Sequence, residues 1–207
     1  MISGCTVLDH PLAQRNVARL RDRLTDTAGF RRALRVLAQL VAIEGLRSAG
    51  VRRTEIETPL ARCEGHELAS PVVVVPILRA GLGMADAILE LVPEASVGHV
   101  GMFRDEATFE PQSYYFKAPP LEDAEVLLVD PMLATGRSAA DAATKLKGAG
   151  ARKIRLLAVI GAVPGVEHFI GAHPEIPVVL AALDPELNAS AYIVPGLGDA
   201  GDRYFGT

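Results

Sequence analysis

The sequence predicts an α/β protein: a doubly wound, mostly parallel sheet flanked by helices, with an N-terminal helical segment and a β-hairpin arm. Three observations carry this reading. Short apolar runs alternate with helical patterns beyond Pro71, a 3.6-residue apolar period precedes them, and a polar stretch from Arg104 to Pro120 bears aromatics without helical spacing.

In chain order, the basic segment Leu12 to Leu24 is expected to be helical. From Phe30 to Val41, residues Phe30, Ala33, Leu34, Leu37, Ala38 and Val41 follow the i, i+3, i+4, i+7 rule of an amphipathic helix, which Asp26 or Thr27 can cap. The arginines between them read as a solvated face. Val72 to Ile77 is a buried strand, followed by Arg79-Ala80-Gly81-Leu82-Gly83 and a helix bearing Ala85, Ile88, Leu89 and Val92, stopped by Pro93. Gly81 and Gly83 are expected to let backbone approach a ligand closely. Val97 to Met102, Val126 to Val129, Ile154 to Ile160 and Val178 to Leu183 read as further strands. The arm covers about 103–120 and carries Phe109, Tyr114, Tyr115 and Phe116 over the pocket. With no linker or repeat, 1–207 reads as one domain whose C-terminal segment is about 184–207. Sheets of this kind bind ligands beyond the carboxyl ends of their strands.

The 207 residues, 49% hydrophobic and 22% charged, suffice for one substantial core. A net charge of -4 and a pI near 5.7 argue against broad nucleic-acid binding but leave room for a small anion held by a few local cations. Cys5 and Cys63 lie far apart, fit no zinc spacing and are expected to be reduced thiols. The N-terminus lacks the cationic start and apolar run of a secretory signal, and no apolar stretch reaches the roughly 20 residues of a bilayer span. The expected compartment is the cytoplasm, with no membrane partner. The five histidines form no evident catalytic set.

The most informative segment is Val126-Leu127-Leu128-Val129-Asp130-Pro131-Met132-Leu133-Ala134-Thr135-Gly136-Arg137-Ser138, an apolar strand running into a helix. Such a loop points unpaired amides at its mouth, and the helix dipole adds about 0.3 to 2 kcal/mol for an anion. Charge-assisted hydrogen bonds from Thr135, Ser138 or main-chain N–H add about 1.5 to 3 kcal/mol each, so several together can seat a phosphate. The spacing is neither that of a nucleoside triphosphatase nor that of a dinucleotide fold. Asp130, leading the loop, can accept from two neighbouring ribose hydroxyls.

This segment resembles the loop that binds 5-phosphoribosyl 1-diphosphate (PRPP) in type I phosphoribosyltransferases, in the uracil phosphoribosyltransferase version, where Asp130-Pro131 replaces two successive acids. The likeness extends to Pro76-Ile77-Leu78-Arg79-Ala80-Gly81-Leu82-Gly83-Met84, Gly98-His99-Val100-Gly101, Arg104-Asp105-Glu106 and the tail from Tyr192. It implies a Mg2+-dependent transfer of uracil to PRPP, giving UMP and pyrophosphate in pyrimidine salvage. It also implies that Asp130, Arg79, Arg104 and Asp199 serve catalysis, and that Asp130 to Ser138, Arg79, Arg104 and Asp199 contact PRPP. Ile193, Gly198, Asp199 and Ala200 would line the uracil pocket, reading the base edge through main-chain groups that discriminate against cytosine by about 10⁴. Mg2+ would be held mainly through the diphosphate, without a direct protein site. GTP activation and a homodimer or higher homo-oligomer are implied partners. Arg137 departs from the pattern, standing where a second glycine is usual; without a positive φ, its guanidinium sits beside the phosphate seat. RNA-binding regulators share this fold, as do catalytically silent relatives, but the low pI and the complete uracil-type tail favour the enzyme.

Overall fold

The computed structural model describes the backbone of residues 2–104 and 111–207, and their side chains except those of 103–104 and 111–113. After β1 (Cys5–Val7), α1 (Pro11–Arg21) opens with proline in its first turn and with Nδ1 of His10 accepting from the Leu12 amide at 3.1 Å. Asp26 caps α2 (Thr27–Gly45), its Oδ1 accepting from the Gly29 amide at 2.7 Å. An antiparallel hairpin, β2 (Val51–Glu57) and β3 (Arg62–Leu68), forms a separate two-stranded sheet. Then follow β4 (Val72–Leu78), α3 (Leu82–Leu91), β5 (Ser96–Val97), β6 (His99–Arg104), β7 (Pro111–Lys117), β8 (Glu125–Val129), β9 (Met132–Leu133) and α4 (Arg137–Gly148). The chain continues through β10 (Lys153–Ala162), α5 (Val163–Ala172), β11 (Val178–Asp184), β12 (Glu186–Leu187), β13 (Ile193–Val194) and α6 (Ala200–Phe205).

The main sheet runs β1-β11-β10-β8-β4-β6-β7, parallel throughout except where β7 returns against β6. Because side chains alternate along a strand, each apolar run feeds two cores. Val72, Val74, Leu127, Val129, Leu157 and Val179 pack with α1, α2 and α3. Val73, Val75, Val126, Leu128, Leu156 and Val178 pack on the opposite face with α4 and α5. This is the doubly wound arrangement the alternating runs imply.

Two expectations change. The strand expected over 97–102 is interrupted at Gly98 between β5 and β6, and β6 itself runs on into the expected arm: it pairs in parallel with β4 through Ile77↔Val100 and Leu78↔Gly101, then pairs Arg104 with Pro111 of β7. One strand can do both because its two edges carry separate sets of main-chain groups. Tyr114, Tyr115 and Phe116 are exposed on β7, while Phe109 lies outside the described residues. The tail, read as a turn, also contains a strand, β13, and a helix, α6.

Candidate active site

The chain leaves the neighbouring strands β4 and β8 in opposite directions, with α3 on one face of the sheet and α4 on the other. Their carboxyl ends therefore splay apart at the topological switch point. A crevice of about 370 Å³ opens there, floored by Asp130 and walled by the loop into α4, Ser190 to Tyr192 and Gly198 to Gly201.

Asp130 is the first residue beyond β8. Its amide donates to the Leu157 carbonyl at 3.2 Å, and its Oδ1 accepts from the Met132 amide at 3.3 Å. The Pro131 carbonyl accepts from the amides of Val159 and Ile160 at 3.1 and 3.0 Å, so Pro131 anchors the loop to β10 and does not face the crevice. Met132 and Leu133 extend the sheet opposite Ile160 and Gly161. At Gly136 the backbone turns left-handed, with φ +76°, and a Cβ there would fall 2.3 Å from the Gly165 carbonyl oxygen. Gly165 is equally confined, since a Cβ on it would lie 2.0 Å from the Ala134 carbonyl oxygen. The first i→i−4 bond of α4 joins the Ala140 amide to Gly136 at 2.9 Å, so the positive end of the helix dipole lies at the crevice wall. Thr135 and Ser138 add hydroxyls to the same wall.

Arg137 takes the first helical position, and its φ is not positive, so arginine sits there without left-handed strain. Its exposed side chain lines an adjoining cleft with Thr135, His168 and Ala191, not the crevice.

The Asp130 carboxyl keeps some contact with crevice water, yet protein atoms displace most of its hydration. That burial pushes its pKa up to about 7; the Met132 hydrogen bond opposes the shift and the charge of Asp199 adds to it. Two carboxylates thus share one crevice. Among the described residues, no group of three or more His, Cys, Asp or Glu side chains could hold a metal ion. Two acids without further ligands suit a cation whose other oxygens come from a bound phosphate ester.

Gly198, Asp199 and Ala200 line the opposite wall, while Ile193 lies buried in β13 against Leu187 and does not line the crevice. Asp199 caps α6, its Oδ1 accepting from the Asp202 amide at 2.9 Å. Arg79 stands beside the crevice, 65% exposed, with Nη2 3.9 Å from Oδ1 of Asp202 and its guanidinium 5.7 Å from the Phe205 ring centre. The Arg104 side chain lies outside the described residues, although its backbone ends β6. Gly81 and Gly83 are confined by the protein itself: a Cβ on Gly81 would lie 2.6 Å from the Val129 carbonyl oxygen, and one on Gly83 would lie 2.4 Å from the Tyr204 ring. Both glycines are thus required by internal packing, whatever approaches their backbone from the crevice side. Ser190, Ala191 and Tyr192 fall within the expected C-terminal segment, about 184–207, but were not named individually as site residues. They reach the crevice because Oδ1 of Asn188 accepts from the amides of Ser190 and Tyr192 at 2.9 and 3.0 Å, curling the β12–β13 loop, with Ala191 at φ 60°. The Asn-Ala-Ser run is the turn signal that could have shown it.

A family model described as uracil phosphoribosyltransferase matches residues 7–207. The chain is 49% identical over 203 residues to a uracil phosphoribosyltransferase of Ligilactobacillus salivarius, covering 97% of both. It is also 49% identical over 204 residues to one of Paracoccus denitrificans, covering 98% of this chain and 97% of that one. A solved structure of a protein from Aquifex aeolicus superposes with a TM-score of 0.93 at 33% identity, over 97% of each chain. The adenine phosphoribosyl transferase of Trypanosoma brucei, solved with AMP, pyrophosphate and ribose-5-phosphate, has a TM-score of 0.60 at 11% identity, covering 96% of this chain and 90% of that one, a likeness of fold alone.

Proposed function

Because the chain belongs to the uracil phosphoribosyltransferase family, we propose that the crevice between β4 and β8 is where PRPP and uracil meet. The enzyme is a pentosyltransferase that joins uracil to the ribosyl group of PRPP, giving UMP and pyrophosphate. The observation that carries the site assignment is that one crevice gathers Asp130, the hydroxyls of Thr135 and Ser138, and the Gly198-Asp199-Ala200 segment.

In this reading the α4 amides with Thr135 and Ser138 hold the 5-phosphate, and ionised Asp130 accepts from the ribose hydroxyls. Arg79 swings from Asp202 to the diphosphate, a contact the family resemblance also gives Arg104. The main chain at Gly198 to Ala200, backed by Ile193, reads the uracil edge, and Asp199 faces both substrates. Catalysis is then positioning and charge stabilisation, with the arm excluding water. Asp130 and Asp199 would be the carboxylates on the protein side of a Mg2+ held mainly by the diphosphate, which would supply positive charge to the leaving group. Self-association also belongs to this reading, since the β2–β3 hairpin leaves Val51, Ile56 and Leu60 exposed. GTP activation carries over from the family with no residue assigned to it.

Incubation with labelled uracil, PRPP and Mg2+ tests the activity: UMP should form, and cytosine should give none. Calorimetry tests the site separately, since Thr135→Ala and Ser138→Ala together should weaken PRPP by at least about tenfold. Unchanged PRPP affinity in that double variant would overturn the placement.

A further inference from the structure

We propose that Arg21 and Asp184, neither of which lines the crevice, are positioning residues for uracil, acting together to fix the orientation of the turn that presents the base-reading main chain. The inference rests on the assignment of Ile193 and Gly198 to Ala200 as the uracil site.

Arg21 ends α1 and Asp184 ends β11. Nη1 and Nη2 of Arg21 donate to Oδ2 and Oδ1 of Asp184 at 2.8 and 2.5 Å, a two-pronged pair. The same Nη1 donates to the Gly196 carbonyl at 3.0 Å, and the Gly196 amide donates to Oδ2 of Asp184 at 2.8 Å. One ion pair therefore holds both polar groups of a single residue, with the Asp184 side chain only 5% exposed. Gly196 has φ +60°, and a Cβ on it would fall 2.0 Å from the Ile193 carbonyl oxygen, so the turn folds tightly onto Ile193. Arg203 secures the next carbonyl: its Nη1 donates to Leu197 O at 2.9 Å and also to Leu20 O, and its Nη2 donates to Asp22 O at 2.8 Å. The turn is thus keyed at consecutive residues to the end of α1, with Ile193 before it and Gly198 to Ala200 after it.

Apolar packing alone would hold this segment without fixing its rotation, because burial is non-directional. Hydrogen bonds to both the N–H and the C=O of Gly196 set the direction of its peptide planes, and through them the main-chain groups that meet the base edge. A reader built of backbone cannot change specificity by exchanging side chains, so its selectivity depends on such a frame.

The test uses Arg21→Gln, Arg21→Lys and Asp184→Asn, each checked by thermal unfolding. The expected result is a uracil KM raised about tenfold in Arg21→Gln, with kcat within about threefold, PRPP affinity by calorimetry within about twofold, and reduced preference for uracil over cytosine. Arg21→Lys keeps the charge but not the fork, and should recover only part of the uracil KM. If Arg21→Gln does not fold, Asp184→Asn, which keeps an acceptor for the Gly196 amide but loses the charge, carries the same comparison. A uracil KM that stays put, or one that moves in step with PRPP affinity, would overturn the proposal. Gly198→Ala separates the two readings: if it raises uracil KM while the Arg21 variants do not, only the clamp fails. If Gly198→Ala has no effect on uracil either, the base-site assignment itself fails.

Discussion

A carboxyl group pushed up to about 7 is half-charged in neutral solution, and Asp130 is the group asked to accept from ribose hydroxyls. Only its ionised form accepts with both oxygens, so PRPP affinity should tighten as pH rises from 6 to 8, measured by calorimetry with and without Asp130→Asn. The stability effect has the opposite sign. The folded pKa lies above the ordinary 3.8, so the group's contribution is fully present below pH 3.8 and is lost as pH rises through about 7. The ceiling is about 4 kcal/mol at 1.36 kcal/mol per pH unit, and crevice water reduces it to about 1 to 2 kcal/mol. Asp130→Asn should therefore melt above the parent at pH 8, with the gap closing toward pH 4, while its PRPP KM rises at least about tenfold. Asp130, Thr135 and Ser138 were legible in the sequence because they lie on one strand-loop-helix segment. The role of Gly83 was not, since the ring that occupies its Cβ space belongs to Tyr204, at the other end of the chain. Arg21 and Asp184 were invisible for the same reason: a lone arginine and a lone aspartate become a pair only when α1 meets β11.

At the scale of elements, the phosphate loop is wedged between β10 and the start of α5. Gly165→Ala would push Cβ toward the Ala134 carbonyl 2.0 Å away, and backbone cannot yield as a flexible side chain would. The variant should remain folded but lose about 1 to 3 kcal/mol of stability, read in urea. Its PRPP KM should rise severalfold with little change in uracil KM, since the tail wall is separate. The apolar strands were readable because burial on both faces leaves a continuous Val and Leu run. The β2–β3 hairpin was missed because Arg52, Arg53, Glu55, Glu64 and Glu67 place charge on both faces and erase the alternation. Helix α6, Ala200–Phe205, is too short to display a 3.6-residue period.

Across the whole molecule, the two ends of the sheet have different duties. Substrates are assigned to the carboxyl end, whereas the amino end holds Glu125, 4% exposed, paired with Arg155 and, at 3.3 Å, with Lys153. Removing the buried charge while Arg155, 12% exposed, keeps its own should cost about 3 kcal/mol. Glu125→Gln should accordingly lower the urea midpoint at constant m while leaving both KM values unchanged. The sheet's layer order was predictable from alternating elements, but its outer strand was not: β1 is three residues of mixed exposure, pairing Cys5, Thr6 and Val7 with Val178, Val179 and Leu180. That pairing closes a loop of nearly the full chain length, a contact whose entropy loss is met only once β11 already lies on β10. A strand near the start of the sequence is thus expected to lock among the last, outside the folding nucleus. Changes in it would hasten unfolding and leave the rate of folding almost untouched.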